Sequence, residues 1–322
     1  MKLSMIKSKG RSVPAALLSS GNFVDLAAAS DAGLLGSAPV RLVEDILDLD
    51  GPLADPARRL VDRLEIGEAG LLDQLNAAGA LQDAATAEYD QILRPRLIMC
   101  SGMAFKEHNK EMDVNMPAEP IGFLKSPTAI TAHNKPILLP PKDPGMVDFE
   151  CEFSLVIGRP MYKVSEDEAL SYLGGVTMVN DVGSRVVVPE FVGAMRGDDP
   201  MACLRYNNIN IHEKQHPTFC PMGPVVETID SYGDPNDFTV ETRLNGEVMQ
   251  SAHSDDLVFP LARTLSFFSQ WYRFLPGDVV TTGSPSGVGF ARNPPRLLKV
   301  GDVVEVSGSK IGTLRNTVAA SD

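Results

Sequence analysis

Cysteine is scarce in this chain. Four residues, Cys100, Cys151, Cys203 and Cys220, are scattered through 322 positions with no CxxC pair. That spacing indicates neither a disulfide framework nor a thiolate zinc site, and a reducing compartment is expected. Positive charge is also in deficit: 29 Lys and Arg stand against 42 Asp and Glu, a formal net charge of -13. Such a surface repels phosphate backbones, so no nucleic-acid partner is expected. No apolar run approaches the ~18 residues of a bilayer crossing. The basic start at Lys2, Lys7, Lys9 and Arg11 leads into only a short apolar stretch before Asp25, so the reading is a cytoplasmic protein with no membrane partner. No repeat of fixed period is present, and neither G-x-x-x-x-G-K-[ST] nor GxGxxG occurs, which leaves nucleotide phosphate binding unsupported.

What remains has the proportions of a folded domain, 43% hydrophobic and 22% charged, and is long enough for one large domain or two ordinary ones. Residues 13–28 read as two short strands around Ser-Gly-Asn, and residues 37–89 carry Ala, Leu and alternating charges at helical spacing. From Arg94 the texture changes to short β-type runs punctuated by Gly and Pro. The expected division is an N-terminal α/β appendage over 1–93 and a catalytic unit over 94–322, in an α+β, predominantly β fold. Within the latter, Ser165 and Glu168 form a capping box for a helix closing at Gly174. A second helix is expected to start near Ser254, with Leu257, Leu261, Leu265, Phe268 and Tyr272 as its apolar stripe. Asn245-Gly246 marks a type I′ hairpin.

Residues 147–158 (VDFECEFSLVIG) are the most informative segment. As a strand they would place Phe149, Cys151, Phe153, Leu155 and Ile157 on one face, and Asp148, Glu150, Glu152 and Ser154 on the other. Carboxylates so close repel one another and, when buried, favour a bound cation; the competing reading is an edge strand with its acids in water. Asp181, at the end of the apolar run 176–179, would complete with Glu150 and Glu152 an all-oxygen set suited to Mg²⁺, Mn²⁺ or Ca²⁺. His108 and Glu111 lie three apart, on one face of a helical turn. There a carboxylate can orient an imidazole as a general base, although such pairs also occur as plain surface contacts. The loop 283–289 (GSPSGVG) follows a strand and could offer backbone amides and the Ser284 hydroxyl to an anion, or be only a tight turn. Lys125 and Lys214 sit beside apolar or Pro-rich segments, where a lysine can meet a carboxylate or oxyanion, and Arg185 could pair with the acids or face water.

These residues resemble, in order, the fumarylacetoacetate hydrolase family: D-F-E-C-E-F with V-I-G, then V-N-D-V-G-S-R, F-C-P-M-G-P, L-N-G-E-V-M-Q, L-P-G-D-V-V-T-T-G-S-P-S-G-V-G and V-G-D-V-V-E-V. The resemblance covers about residues 94–318 and implies a mixed β-roll, usually a homodimer, with Mg²⁺ or Mn²⁺ held at Glu150, Glu152 and Asp181. It makes His108 and Glu111, within Gly102–Phe105–His108–Glu111, the dyad that deprotonates water, and Lys214 the active-site lysine. Lys125, Arg185, Gln250, Gly283 and Ser284 are the candidate substrate contacts, with Gly283-Ser284-Pro285 standing where the family has G-T-P. The chain departs from the family's F-D-T-F at His216–Phe219, and the interval 187–208 is longer than in compact members, an extra loop expected to cover the site. The activity implied is metal-dependent hydrolysis of a carbon-carbon bond in a 1,3-dicarbonyl or 2,4-dioxo acid of the acylpyruvate or fumarylacetoacetate type. The alternatives are decarboxylation, isomerisation or hydration of a 2-oxo acid at the same site, and a non-catalytic, metal-stabilised binding protein.

Overall fold

The alternation in residues 147–158 builds the centre of the molecule. In the computed structural model, which describes residues 1–36 and 38–321, the strand Cys151–Ile157 is buried along its whole length. Ser37, the expected start of the helical stretch, lies outside the described residues. The strand pairs antiparallel with Leu173–Asn180 on one side and Val279–Thr281 on the other, so it is no solvated edge. Cys151, Phe153, Leu155 and Ile157 enter one core, and the acids fall on the opposite face, as the period of two requires.

That strand belongs to a large sheet whose order, from one edge, is Leu81–Asp83, Asn22–Asp25, Arg11–Leu17, Lys2–Ser8, Cys220–Thr228, Leu173–Asn180, Cys151–Ile157, Val279–Thr281, Ile98–Gly102 and Ile121–Lys125. A second sheet, Glu247–His253, Thr239–Leu244, Val303–Gly308, Gly312–Ala320 and Ile137–Leu139, covers one face. Val240, Leu244, Val304, Val306 and Leu314 meet Phe153 and Leu155 there, and Phe153 stacks on Phe238 with ring centroids 4.1 Å apart. Val156, Val179, Met222 and Val279 point the other way and pack against Leu60, Val61 and Leu64 of the helix Ala54–Glu65 and Leu71 and Leu75 of the helix Leu71–Ala77. The fold is α+β, with two sheets at its heart and helices at its periphery.

Several local expectations change. The strand Lys2–Ser8 was hidden in the basic start: Leu3 and Met5 enter one core and Ile6 another, so both faces are covered although the sequence is studded with Lys and Ser. It joins the first residues to the large sheet through Cys220–Thr228. The second helix begins at Leu261, not near Ser254, because Pro260 disfavours helical backbone at Phe259; only one turn of 3₁₀ helix forms at Ser254–Asp256. Ser165 donates to the Glu168 carboxylate at 3.0 Å, but the helix passes into the 3₁₀ turn Leu170–Tyr172 before Gly174. Gly174 lies inside a strand, where it and Gly158 allow the main chain of Leu47 to come close. The interval 187–208 is not a loop but two helices, Val188–Arg196 and Pro200–His212, the second capped by the Asp199 carboxylate, which accepts from the amides of Met201 and Ala202. The hairpin at Asn245-Gly246 forms with φ of 53° and 84°.

The crossing at Gly158 yields a stability prediction. A Cβ there would lie 2.5 Å from Gly174 Cα and 2.9 Å from the Leu47 carbonyl oxygen, and the contacting atoms are backbone that cannot swing aside. Gly158→Ala should lower stability by about 1–3 kcal/mol or more, seen as a reduced urea midpoint; an unchanged midpoint would disprove the close approach.

Candidate active site

The acid face of the central strand carries the site. Glu150 sits just before the strand, its backbone N–H donating to Asn180 Oδ1 at 3.0 Å and its carbonyl accepting from the Asp181 amide at 2.8 Å. Those bonds fix both acids at the same end of neighbouring strands. Lys214 Nζ donates to Glu150 Oε2 at 2.7 Å and to Asp181 Oδ2 at 2.5 Å. Lys125 Nζ donates to Asp181 Oδ1, and to the Val182 carbonyl at 3.1 Å. Arg185 spans Asp148 (Nε to Oδ2, 3.0 Å) and Glu150 (Nη2 to Oε1, 2.5 Å). Burial alone would raise the Glu150 pKa, but the charges of Lys214 and Arg185 hold it below the usual carboxylate range. Burial opposes the charge on Lys214, yet Asp181 and Glu150 raise its pKa above that of a free lysine. All three basic candidates are therefore internal counter-ions to acids.

Glu152 is the exception. It is 1% exposed, and its Oε2 has no hydrogen-bond partner among the described residues. Burial first, and the nearby Asp181 second, push its pKa well above the ordinary value. Its carboxylate, an Asp181 oxygen and Cys100 Sγ lie within 4.8 Å of one another. Burial, with Asp181 and Glu152 adding to it, also raises the Cys100 thiol, leaving it a poor donor for a hard ion. The residues fit a divalent cation: an orphaned buried carboxylate oxygen beside a second acid is the environment that a doubly charged ion relieves, and oxygen donors select Mg²⁺, Mn²⁺ or Ca²⁺. Cys100 was missed from sequence because the four cysteines read as scattered; its place in a strand two residues before the Gly102 motif was the available signal.

The histidine stands on the short helix Lys106–Glu111. His108 Nδ1 is 3.1 Å from Glu111 Oε2, and the other oxygen of Glu111 accepts the Gly287 amide at 2.9 Å. The carboxylate only accepts, so Nδ1 carries a proton, and Nε2 is the nitrogen left to face a substrate or water. Three amides of the glycine-rich stretch thus serve the protein's own acids: Gly287 binds Glu111, while Gly289 and Phe290 bind Asp148 at 2.8 and 3.0 Å. Gln250 uses its amide fully, accepting from the Cys151 N–H and the Thr242 hydroxyl and donating to Ser284 Oγ and the Pro285 carbonyl.

His108, Glu150, Asp181, Arg185, Lys214 and Ser284 converge on one cavity of about 550 Å³. Glu111, Lys125, Glu152, Gln250 and Gly283 are not among its lining. Sequence reasoning missed Asp148 as the anchor of Arg185 and the glycine-rich turn, and it missed the cavity wall given by the helices, apolar on Val188–Arg196 and mostly polar, with Asn207, Asn210 and Ile211, on Pro200–His212. Pro189 and Pro200, in the first turns of those helices, were the signal for them.

The family description "Fumarylacetoacetate (FAA) hydrolase C-terminal" matches residues 97–319. The chain belongs to this family. Oxaloacetate tautomerase FAHD2A, mitochondrial, of Bos taurus is 33% identical over 277 residues, covering 85% of this chain and 83% of the relative. The fumarylacetoacetate hydrolase of Exiguobacterium antarcticum superposes over 100% of both chains with a TM-score of 0.72 and 26% identity. A maleylpyruvate hydrolase from Sphingobium sp. SYK-6, solved with manganese(II) ion and pyruvate, shares the fold over 100% of both chains with a TM-score of 0.68 and 20% identity. The chain is an enzyme of this family, whose members include tautomerases and hydrolases. Among the described residues no helix is long and apolar enough to cross a membrane.

The raised Glu152 pKa gives a metal-binding prediction. A carboxyl held protonated must release its proton when a cation takes its oxygen, so Mn²⁺ binding should expel protons and weaken as pH falls. Calorimetric titration in buffers of different ionisation enthalpy should show that release, and Glu152→Gln should abolish it; buffer-independent heats in the unaltered protein would remove Glu152 from the ligand set.

Proposed function

We propose that the protein hydrolyses a carbon-carbon bond in a 2,4-dioxo or other 1,3-dicarbonyl acid, with Mg²⁺ or Mn²⁺ at Glu150, Glu152 and Asp181. The observation that carries this reading is the relay Gly287–Glu111–His108, which presents an oriented imidazole to the same cavity as Glu150, Asp181 and Lys214. The ion, when bound, supplies Lewis-acid stabilisation of negative charge developing on substrate oxygens. His108 Nε2 takes a proton from water, and the oxygen adds to the carbonyl carbon remote from the carboxylate. The bond between that carbon and the adjacent CH₂ then breaks. Its electron pair passes to the enolate of the departing 2-oxo acid, which is reprotonated on carbon by the imidazolium. Glu111 stabilises that imidazolium, and Lys214 offers its ammonium to the oxyanion. Gln250 fixes the Ser284 oxygen, and the hydroxyl, which donates to the Pro285 carbonyl at 3.4 Å, would turn its proton to the substrate. Lys125 and Arg185 act through Asp181, Glu150 and Asp148.

A second reading is favoured by the similarity to the bovine tautomerase: the same dyad shifts a proton between the enol oxygen and carbon of an oxo acid, with no water added and no bond between carbons broken. Both readings place the protein in a reducing compartment, which suits its four free thiols, and we retain the cytoplasm as its site of action. The reading includes a homodimer. The edge strand Ile121–Lys125 leaves Ile121 and Leu124 exposed, and the helix Pro200–His212 leaves Met201 and Leu204 exposed, apolar surface that a second copy would cover.

Incubation with an acylpyruvate and Mn²⁺ should yield pyruvate and the free carboxylic acid by mass spectrometry. His108→Ala should reduce the rate about 10²- to 10⁴-fold while substrate still binds. Decay of the enol absorbance of oxaloacetate without cleavage products from any acylpyruvate would decide for tautomerisation. An undiminished rate in His108→Ala would eliminate the dyad from either reaction.

A further inference from the structure

The cavity has two chemically distinct ends. One is the charged floor of Glu150, Asp181, Arg185 and Lys214 beside His108. The other is walled by the helix Val188–Arg196, whose residues Val188, Phe191, Val192 and Met195 line the cavity. Their spacing of i, i+3, i+4 and i+7 is the apolar stripe that a helix normally turns into a core. Here only Val188 is buried; Phe191 and Val192 are half-buried and Met195 is 42% exposed. The stripe is about 10 Å long at 1.5 Å per residue, and Met112 and Val114 line the cavity with it.

Charge separates the possible occupants. Among the described residues the basic side chains lining the cavity are His108, Arg185 and Lys214. Arg185 is held by Asp148 and Glu150, Lys214 by Glu150 and Asp181, and His108 faces Glu111. Arg196, at the end of the striped helix, is paired with Asp113 at 2.7 Å. Asn115, Asn207 and Asn210 also line the cavity, but neutral amides do not offset the desolvation of a full carboxylate charge. An acid with a carboxylate at each end would find the basic groups and the proposed cation at the floor, and no basic side chain among the described residues lining the stripe.

We propose that the substrate is a monocarboxylic oxo acid with an alkyl or aryl tail, its carboxylate end at the charged floor and its tail along Val188, Phe191, Val192 and Met195. This rests on the cavity being the binding place of an oxo acid, as set out above, but not on which bond is made or broken there. It separates this chain from a preference for short dicarboxylic acids.

The test is a series of straight-chain 2,4-dioxo acids from acetylpyruvate to octanoylpyruvate, with dicarboxylic analogues of matched length. Binding is followed by calorimetry and turnover separately, in the full-length protein with Mn²⁺. Affinity should rise about fourfold per added methylene until the stripe is covered, and each dicarboxylic analogue should bind at least tenfold more weakly than its methyl-terminated counterpart. Phe191→Asp, checked for folding by thermal unfolding, should flatten the length dependence, and Phe191→Leu should largely preserve it. Affinity independent of tail length, tighter binding of the dicarboxylic series, or no binding by any member overturns the proposal. Length-dependent binding without cleavage leaves it standing and removes only the hydrolytic reading.

Discussion

Everything in this structure answers to the burial of carboxylates in the middle of a sheet. Glu150, Glu152 and Asp181 are buried at one end of the central strands, and Asp148 joins them. Isolated anions there would each cost several kcal/mol even after relaxation. Three cations, Lys125, Lys214 and Arg185, are drawn in to meet four acids. The remaining negative charge falls to Glu152, which is left with either a proton or a metal ion. A cation-dependent centre is thus a consequence of electroneutrality within the fold and not an addition to its surface.

The same economy of groups ties the His108–Glu111 pair to the sheet. Glycine at 289 is required because a Cβ would lie 2.2 Å from the Arg296 carbonyl oxygen and 2.5 Å from Asp148 Oδ1. Only with that approach can the main chain reach Asp148. A few residues earlier, Gly287 takes φ of 98° with Met249 O close by, and its amide turns to Glu111. One short stretch of backbone therefore anchors Arg185 through Asp148 and orients His108 through Glu111, so the buried ion pairs and the imidazole share a single support.

Much of this was legible in the residues. The alternation at 147–158 separated core from acids correctly, the Asn245-Gly246 turn was read from residues that tolerate positive φ, and the ordered motifs pointed to the family. The parts that escaped depend on distant contacts or on context that a local pattern does not hold. Lys125 could not be matched with Asp181, nor Cys100 with Glu152, because those pairs are made by strand order. The strand Lys2–Ser8 was read only as a basic start because its burial depends on Cys220–Thr228, more than two hundred positions away. The two helices between Arg185 and Lys214 hid for different reasons: the stripe of Val188–Arg196 is regular but faces a cavity and not the core, and Pro200–His212 has no buried residue from which a stripe could be read.

That helical excursion leaves the sheet just after Arg185 and returns at Lys214, and both of these residues are clamped by the acids. Its two feet stand on residues held by buried ion pairs, while the helix Pro200–His212 between them has no buried residue. A segment rooted in this way can be lengthened, shortened or rewritten with small entropic penalty, and the acids at its base need not change. The cavity's apolar wall and its charged floor are thereby housed in separate stretches of one polypeptide, and the first can change without the second.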